Sequence, residues 1–176
     1  MTARQRARVL VYKVAYALPG RVRRRLVRIA MPKYIAGAVV VLRDADARDD
    51  GPGRMLLQRQ PPGHGWSLPG GLLERGERPA VGAARELLEE SGVRVDPDTL
   101  TPMNPNVIVH SDGRWIDCVF EAYVPSDTPL HVDGGEVLEA AWFRLDALPP
   151  LTVATARLLA RYGIGPYVAY PEAQDD

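Results

Sequence analysis

Two absences limit what this sequence can encode. Cysteine occurs once, at Cys118, which excludes an internal disulfide and fits a protein kept in a reducing compartment. It lies in the apolar run DCVFEAYV, where a buried structural thiol is expected rather than a nucleophile. No segment approaches the roughly 20 consecutive apolar residues that a membrane-spanning helix needs. The start RARVLVYKVAYALPG is interrupted by Lys13 and lacks a clear cleavage site, so we predict no signal peptide and a cytoplasmic location.

Acidic residues are also absent from residues 1–34, which contain ten Lys and Arg. The rest of the chain holds 12 basic and 22 acidic residues, so the net charge of zero divides into +10 and −10. This asymmetry predicts a basic N-terminal helical extension over 1–33 and an acidic domain over 34–176.

The basic extension contains two short helical patterns, which end at Pro19-Gly20 and at Pro32. The second pattern carries apolar residues at helical spacings: Val22, Leu26, Val27 and Ile29. We therefore expect this face to dock against the acidic domain or against a second copy of the chain, as in a homodimer. Binding to nucleic acid or to anionic lipid is the less favoured alternative.

Residues 34–176 alternate strand and helix patterns, which predicts an α/β domain. Strands are predicted at 34–43, 54–59, 105–110, 115–124 and 138–144, and helices at 79–91 and 151–162. Several strand pairs have no crossover helix between them, so the sheet must be partly antiparallel. The segment 44–53 is predicted to be a turn, and the final PEAQDD a loose tail.

The helix over 79–91 ends in RELLEESG, which gathers carboxylates where a helix least favours them. Glu86, Glu89 and Glu90 stand at i, i+3 and i+4 and hence on one face, near a C-terminus whose unpaired carbonyls are already partly negative. Arg85 is expected to point to an adjacent face. Taken alone, such a run of charge is usually a solvated surface.

The sequence upstream of the helix favours a metal site instead. Mg²⁺ prefers carboxylate and carbonyl oxygens, and a bound cation would remove the repulsion between the glutamates. The segment LPGG precedes the helix, and Gly70 and Gly71 allow the backbone to approach closely.

The segment GLLERGERPAVGAARELLEESGV, residues 71–93, resembles the Nudix box, G-x5-E-x7-R-E-U-x-E-E-x-G-U, in which U is a bulky apolar residue. The resemblance extends over about residues 34–165, through MLLQR, WSLPGG and EVLEAAWFRLDALPPL. A match at nine specified positions is far more specific than a lone glycine motif. The matching residues are Gly71, Glu77, Arg85, Glu86, Leu87, Glu89, Glu90, Gly92 and Val93.

This resemblance implies the Nudix fold, an α/β/α sandwich around a mixed β-sheet. It also implies a hydrolase that uses Mg²⁺ or Mn²⁺ and an activated water to cleave a nucleoside diphosphate linked to another group. Carried over by position, the metal ligands are Glu86, Glu89 and Glu90, together with the backbone carbonyl of Gly70 or Gly71. Glu77 would hold Arg85 by a salt bridge, so that both serve catalysis through geometry.

The general base is open to more than one assignment. A carboxylate that is not saturated by metal can take the proton of the attacking water, and we favour Glu86, with Glu89 among the catalytic residues. Glu136 lies where many family members keep a further acidic residue and is the second candidate. Glu139 is the third, and an ordinary surface glutamate is the alternative for both.

Three further residues are candidates for substrate binding. Arg59 would contact phosphate or form a surface salt bridge, Trp66 would stack on a base or pack beneath the glycine turn, and His64 would touch substrate or remain a solvated loop residue. The other tryptophans and histidines carry no such role: Trp115 and Trp142 are expected in the strand core, and His110 and His131 are isolated and lack zinc-ligand spacing.

The substrate itself is not specified by any motif. Ile108 and His110 occupy the places where the proline of ADP-ribose-cleaving members and the tyrosine of dinucleoside-polyphosphate-cleaving members are expected. Nucleotide sugars, ADP-ribose-like compounds and (d)NTPs therefore stay open. An RNA 5′-end pyrophosphohydrolase and a non-catalytic nucleotide sensor are the alternative functions, although a sensor would be expected to lose box glutamates.

Overall fold

The structure is a computed structural model that describes residues 2–31, 33–46, 53–110, 114–125 and 127–169. It divides into two compact units, Met1–Lys33 and Tyr34–Asp176. Most of the turn predicted over 44–53 and the tail predicted after residue 170 lie outside the described residues. Among the residues that are described, no helix combines the length and the apolar character needed to cross a membrane.

The first unit contains two helices, α1 (Ala3–Ala17) and α2 (Gly20–Ala30). Helix α1 begins at Ala3 because Thr2 caps it. The Thr2 hydroxyl accepts the backbone N–H of Gln5, and the Gln5 side chain accepts the backbone N–H of Thr2. None of the residues of α2 is buried, so the docking of its apolar face stays a prediction.

The second unit is built on one mixed sheet. In the described residues its strands are β1 (Ile35–Asp44), β2 (Arg54–Arg59), β3 (Gly70–Leu72), β4 (Thr101–Val109), β5 (Trp115–Val124) and β6 (Glu139–Arg144). The order is β4-β5-β1-β2-β6, with β3 paired to β1. Strand β1 runs parallel to β5, and the other pairs are antiparallel. The predicted mixture of parallel and antiparallel pairs is therefore confirmed.

Two helices cover the two faces of this sheet. On one face, α3 (Pro79–Ser91) packs Ala83, Ala84 and Leu87 against alternate residues of β1. On the other face, α4 (Val153–Ala160) packs Leu158 and Leu159 against the intervening residues of the same strand. Burial on both faces explains why β1 is apolar without interruption. The α/β/α sandwich that the resemblance implied is confirmed.

In the second unit, β4 and α4 differ from their predicted bounds by more than one residue. Strand β4 begins at Thr101 rather than 105, because the TPMNPN segment joins the sheet with a register shift between Pro102 and Val107. Helix α4 is shorter than the predicted 151–162. It begins only after Thr152, whose hydroxyl accepts the backbone N–H of Thr155, and it ends at Ala160. The irregular pairing thus lengthens β4, and the Thr152 cap sets a later start for α4.

Candidate active site

The site is built where β3 passes directly into the loop before α3. Strand β3 lies so close to β1 that a β-carbon at Gly70 would meet the Cα of Val39 at 2.8 Å. A β-carbon at Gly71 would meet the Glu86 carboxylate at 2.5 Å. The two glycines therefore let a carboxylate of α3 lie against the backbone of the sheet, which is the close approach that LPGG predicts.

Arg85 is the centre of the charged network on α3. Its guanidinium donates to both oxygens of Glu77 at 3.1 Å, to Glu86 at 2.7 Å and to Glu89 at 3.1 Å. It also donates to the carbonyl of Leu72 at 3.0 Å. The expectation that Arg85 points to an adjacent face was wrong, because its long side chain reaches along the helix to both neighbouring glutamates. Arg85 thus offsets much of their repulsion without a metal ion.

Glu77 fixes the loop before α3 against the helix. Its carboxylate binds Arg85, as expected, and also accepts the backbone N–H of Glu74 at 2.9 Å. The hydrogen bond from Arg85 and then that from Glu74 lower the pKa of Glu77, so it stays ionised. Gly82 in mid-helix is explained by the same packing, since a β-carbon there would lie 2.9 Å from the Glu77 carboxylate and 2.5 Å from Leu73.

The three glutamates of α3 lie in different surroundings. Glu90 is buried, at 5% exposure, whereas the side chain of Glu86 is 15% exposed and that of Glu89 is 59% exposed. One oxygen of Glu90 accepts the backbone N–H of Gly70 at 2.8 Å, and the other accepts the Gln60 amide at 2.7 Å. The solvent exposure of the three side chains thus increases from Glu90 through Glu86 to Glu89.

Burial dominates the electrostatics of Glu90. Loss of solvation raises its pKa from 4.5 to about 7, against the opposing effect of the Gly70 N–H. The negative charges of Glu86 and Glu136 also raise this pKa, so the loop before β6 brings the Glu136 carboxylate into the electrostatic range of the site. Glu139 instead pairs with Arg59 at 2.7 Å on the surface.

The donor chemistry of these residues fits a hard divalent cation, but their present positions do not form a complete coordination sphere. In the part of the chain that the structure describes, no three Asp, Glu, His or Cys side chains converge as metal ligands. Each glutamate is turned toward a protein partner, either Arg85 or the Gly70–Gln60 pair. Carboxylates without a cation between them take such partners, because gathering them unpaired is unfavourable.

Gln58 was missed from the sequence. It is fully buried on β2, and neither its amide oxygen nor its amide nitrogen has a hydrogen-bond partner. Its amide is nevertheless close enough to Glu90 to oppose the rise of that residue's pKa. A buried amide without partners costs about 1–3 kcal/mol for each unmet group. The signal was available in MLLQR, where a glutamine follows the apolar run at a position that faces the core, before the strand ends at Arg59.

A cavity of about 690 Å³ opens beside the two glycines. Gly70, Gly71 and Gln60 form one part of its wall, and His64, the loop histidine predicted to touch substrate, also lines it. Its volume is in the range of small-molecule sites. The far wall is formed by residues of β4, β5 and α4 that include His110, Trp115, Asp117 and Arg157.

Two of the residues predicted to bind substrate do not line this cavity. Trp66 packs its ring edge-on against Phe143, with ring centroids 4.6 Å apart. The Arg59 guanidinium lies over Trp66, 5.8 Å from its ring centroid, and pairs with Glu139. The packing alternative for Trp66 and the salt-bridge alternative for Arg59 therefore describe their surroundings. Both side chains contact residues of the edge strand β6, whereas the far wall of the cavity comes from β4, β5 and α4.

The expectation that His110 is isolated was wrong. Its Nε2 lies 2.7 Å from one carboxylate oxygen of Asp117, and the Trp115 indole N–H donates to the other at 2.7 Å. Asp117 is 7% exposed and occupies space that Gly37 leaves free, since a β-carbon there would lie 2.5 Å from its Oδ1. Trp115 is consequently a half-buried cavity residue rather than part of the core. Trp142 packs against the α3-side core, as predicted.

A family model described as the NUDIX domain matches residues 33–162 of the chain. The chain belongs to the Nudix family. The predicted family and fold are thus confirmed, and the structure gives the position of each Nudix-box residue. Glu86, Glu89 and Glu90 lie on α3, the glycine that opens the box lies on β3, and the Glu77–Arg85 pair joins the intervening loop to the helix.

Individual relatives resemble parts of this Nudix chain. It is 44% identical over 72 residues to a MutT-like protein of Streptomyces ambofaciens, which is 41% of each chain. It is 34% identical over 107 residues to a Bacillus subtilis protein provisionally named an ADP-ribose pyrophosphatase, covering 56% of this chain and 48% of that one. The chain thus spans only about half the length of these relatives.

A solved structure shows the same fold. The crystal structure of a MutT NUDIX hydrolase from Burkholderia pseudomallei superposes with a TM-score of 0.54 and 28% identity, covering 70% of this chain and 93% of that one. The resemblance therefore includes most of the domain built on the mixed sheet.

Proposed function

We propose that this Nudix chain is a divalent-metal-dependent hydrolase that cleaves the pyrophosphate bond of a nucleoside diphosphate linked to another group. The observation that carries the proposal is the set of three glutamates on α3, two of which, Glu86 and Glu90, lie against the glycine backbone of β3. The same glycines line a cavity of about 690 Å³. Clustered carboxylates would repel a diphosphate, so the arrangement is useful to such a substrate only with cations between them.

Glu86, Glu89 and Glu90 are the residues that would hold Mg²⁺ or Mn²⁺, together with the carbonyl of Gly71. A cation bound there would supply a Lewis acid for the phosphates and would lower the pKa of a coordinated water. Arg85 would keep the neighbouring carboxylates oriented. Its five N–H donors bind Glu77, Glu86, Glu89 and the Leu72 carbonyl at the same time.

Glu86 is the favoured general base, because its carboxylate lies against Gly71, which also lines the cavity. Glu136 is the second candidate, and its effect on the pKa of Glu90 supports a place near the site. Glu139 is the weakest, because neither its carboxylate nor its partner Arg59 lines the cavity. His64 would contact substrate from the cavity wall.

The substrate class is a nucleotide derivative that the cavity can hold. The name of the Bacillus subtilis relative supports an ADP-ribose-like compound, and nucleotide sugars or (d)NTPs share the same pyrophosphate chemistry. A second candidate, removal of pyrophosphate from RNA 5′ ends, is favoured by one observation: helix α2 carries five arginines, none of them buried, and no acidic residue. A non-catalytic sensor is disfavoured because every box glutamate is present. A cytoplasmic location and a homodimer stay predictions.

The test is a hydrolysis assay on a panel of ADP-ribose, nucleotide sugars, (d)NTPs and 5′-triphosphorylated RNA, with Mg²⁺ or Mn²⁺ and identified products. A nucleoside monophosphate should be released from at least one small nucleotide. Glu89→Gln should abolish this turnover and leave the fold intact, because Glu89 is largely exposed. Turnover by Glu89→Gln at the parent's rate would refute the metal assignment, and cleavage of RNA alone would favour the second candidate.

A further inference from the structure

We propose that Gln58 is a positioning residue for Glu90, whose buried amide is kept available to hold that carboxylate when the site binds its cation. This inference rests on the metal-dependent activity proposed above. It concerns a side chain outside the Nudix box, on a different strand of the sheet.

Gln58 stands out among the buried polar side chains. It has 0% exposure, and neither amide atom is partnered. Each of the other buried polar side chains in the described residues has a partner: Asp44 with Arg54, Glu90 with Gly70, Ser91 with Leu87, Asp117 with His110, and Thr155 with Thr152. An unmet buried amide therefore marks this position as one that packing alone does not explain.

The backbone of Gln58 cannot account for the choice of residue. Its N–H donates to Ser67 at 2.9 Å, and its carbonyl accepts from Ser67 at 2.8 Å. The residue also pairs with Ala140 of β6. Any residue would make these bonds, and Leu56, two positions earlier on the same face, is fully buried in the α3-side core. An apolar residue at position 58 would satisfy the fold.

The nearby group that an amide can serve is Glu90. The backbone of Gln58 pairs with Ser67, three residues before Gly70, and Gln60 follows Gln58 by two residues. Gly70 and Gln60 are the two donors to Glu90, at 2.8 and 2.7 Å, so the chain on both sides of the Gln58 amide leads to this carboxylate. The amide makes no hydrogen bond in this arrangement, but it opposes the rise of the Glu90 pKa. The two carboxylate oxygens now accept one hydrogen bond each, from Gly70 and from Gln60. A carboxylate has about four acceptor sites, so Glu90 can accept a further donor.

A metal ligand needs fixed orientation, and outer partners of ligands supply it. Gln58 is suited to this because it cannot move away into solvent. Glu90 is among the residues that would hold the cation, and the Gln58 amide would donate to its carboxylate from within the core. Gln58 thus acts through Glu90 and touches no substrate.

The test compares Gln58→Met with Leu56→Met, a matched substitution at a fully buried position on the same face of β2. Thermal unfolding is followed in chelator, and Mn²⁺ affinity is measured by electron paramagnetic resonance or calorimetry. Gln58→Met should raise the Tm in chelator by several degrees, since it removes an unmet amide, and should weaken Mn²⁺ binding by about 10–100-fold. It should lower kcat and leave KM unchanged. Leu56→Met should leave Mn²⁺ affinity at the parent's value.

Two outcomes would overturn the proposal. In the first, Gln58→Met binds Mn²⁺ as tightly as the parent, so that the amide has no part in the site. In the second, Gln58→Met loses stability in chelator, so that the amide serves the fold. If Gln58→Met does not fold, Gln58→Leu provides the same comparison. A parent protein that shows no Mn²⁺ binding, or binding that Glu89→Gln leaves unchanged, would refute the proposed function itself.

Discussion

Glu90 should make the metal-free protein less stable as the pH rises, which is the reverse of the usual behaviour of a carboxylate. A paired surface carboxylate has a lowered pKa and stabilises the fold when ionised. Glu90 is buried, and its pKa rises from 4.5 to about 7. Between these two values the native protein binds more protons than the unfolded chain, so the free energy of unfolding falls as the pH increases through this window.

The size of the effect follows from the shift. Each pKa unit corresponds to about 1.4 kcal/mol, so the ionised carboxylate costs on the order of 3 kcal/mol at pH 8. Glu90→Gln removes this cost, and Gln60 can turn its amide to suit the new side chain. In chelator at pH 8 the variant should be more stable than the parent by up to about 3 kcal/mol, or roughly 5–10 °C in Tm. At pH 4 the two should be nearly equal.

The measurement is thermal unfolding in chelator at several pH values between 4 and 8, repeated with Mn²⁺. Asp98→Asn is the control, because it also removes one negative charge but from an exposed ion pair with Arg78. Mn²⁺ should stabilise the parent and should have little effect on Glu90→Gln. A parent whose stability stays constant or increases between pH 5 and pH 7 would show that the burial of Glu90 is not the controlling effect.

Three further predictions follow from the same contacts. Arg85→Lys should lower kcat at least tenfold and cost about 1–3 kcal/mol of stability, since one ammonium cannot replace five donors. Arg78→Lys is the exposed control. If the two variants changed kcat and the free energy of unfolding equally, the role of the Arg85 network would be contradicted. Gly71→Ala should abolish Mn²⁺ binding with the fold retained, because the added β-carbon would lie 2.5 Å from the Glu86 carboxylate. Gly135→Ala is the control and should bind Mn²⁺ normally, because a β-carbon there would contact only Asp133. Deletion of 1–33 should leave small-nucleotide turnover largely unchanged, and loss of solubility would instead support docking of its apolar face.

Local sequence patterns determined the parts of this protein that depend on neighbouring residues. Helix α3 has the predicted bounds because Pro79 begins it and Gly92 closes it with a φ of 73°. The spacing of the box residues fixes which turn of that helix carries each glutamate. The family and the sandwich fold could be predicted for the same reason, since a rigid motif and a strand buried on both faces leave few arrangements.

Tertiary structure alone decided how residues of the same type differ in burial and in polar partners. Three glutamates within five residues have exposures from buried to largely open, because the sheet covers one side of α3 and leaves the other side free. The Asp117–His110 pair depends on the pairing of β4 with β5, and the burial of the Gln58 amide depends on the pairing of β2 with the distant strand β6. Sequence spacing specifies neighbours along a helix, but burial and polar partners arise from elements that meet only after folding. The family and the fold could therefore be predicted from the sequence, whereas the pKa of Glu90 and the contacts of Arg85 depend on the tertiary structure.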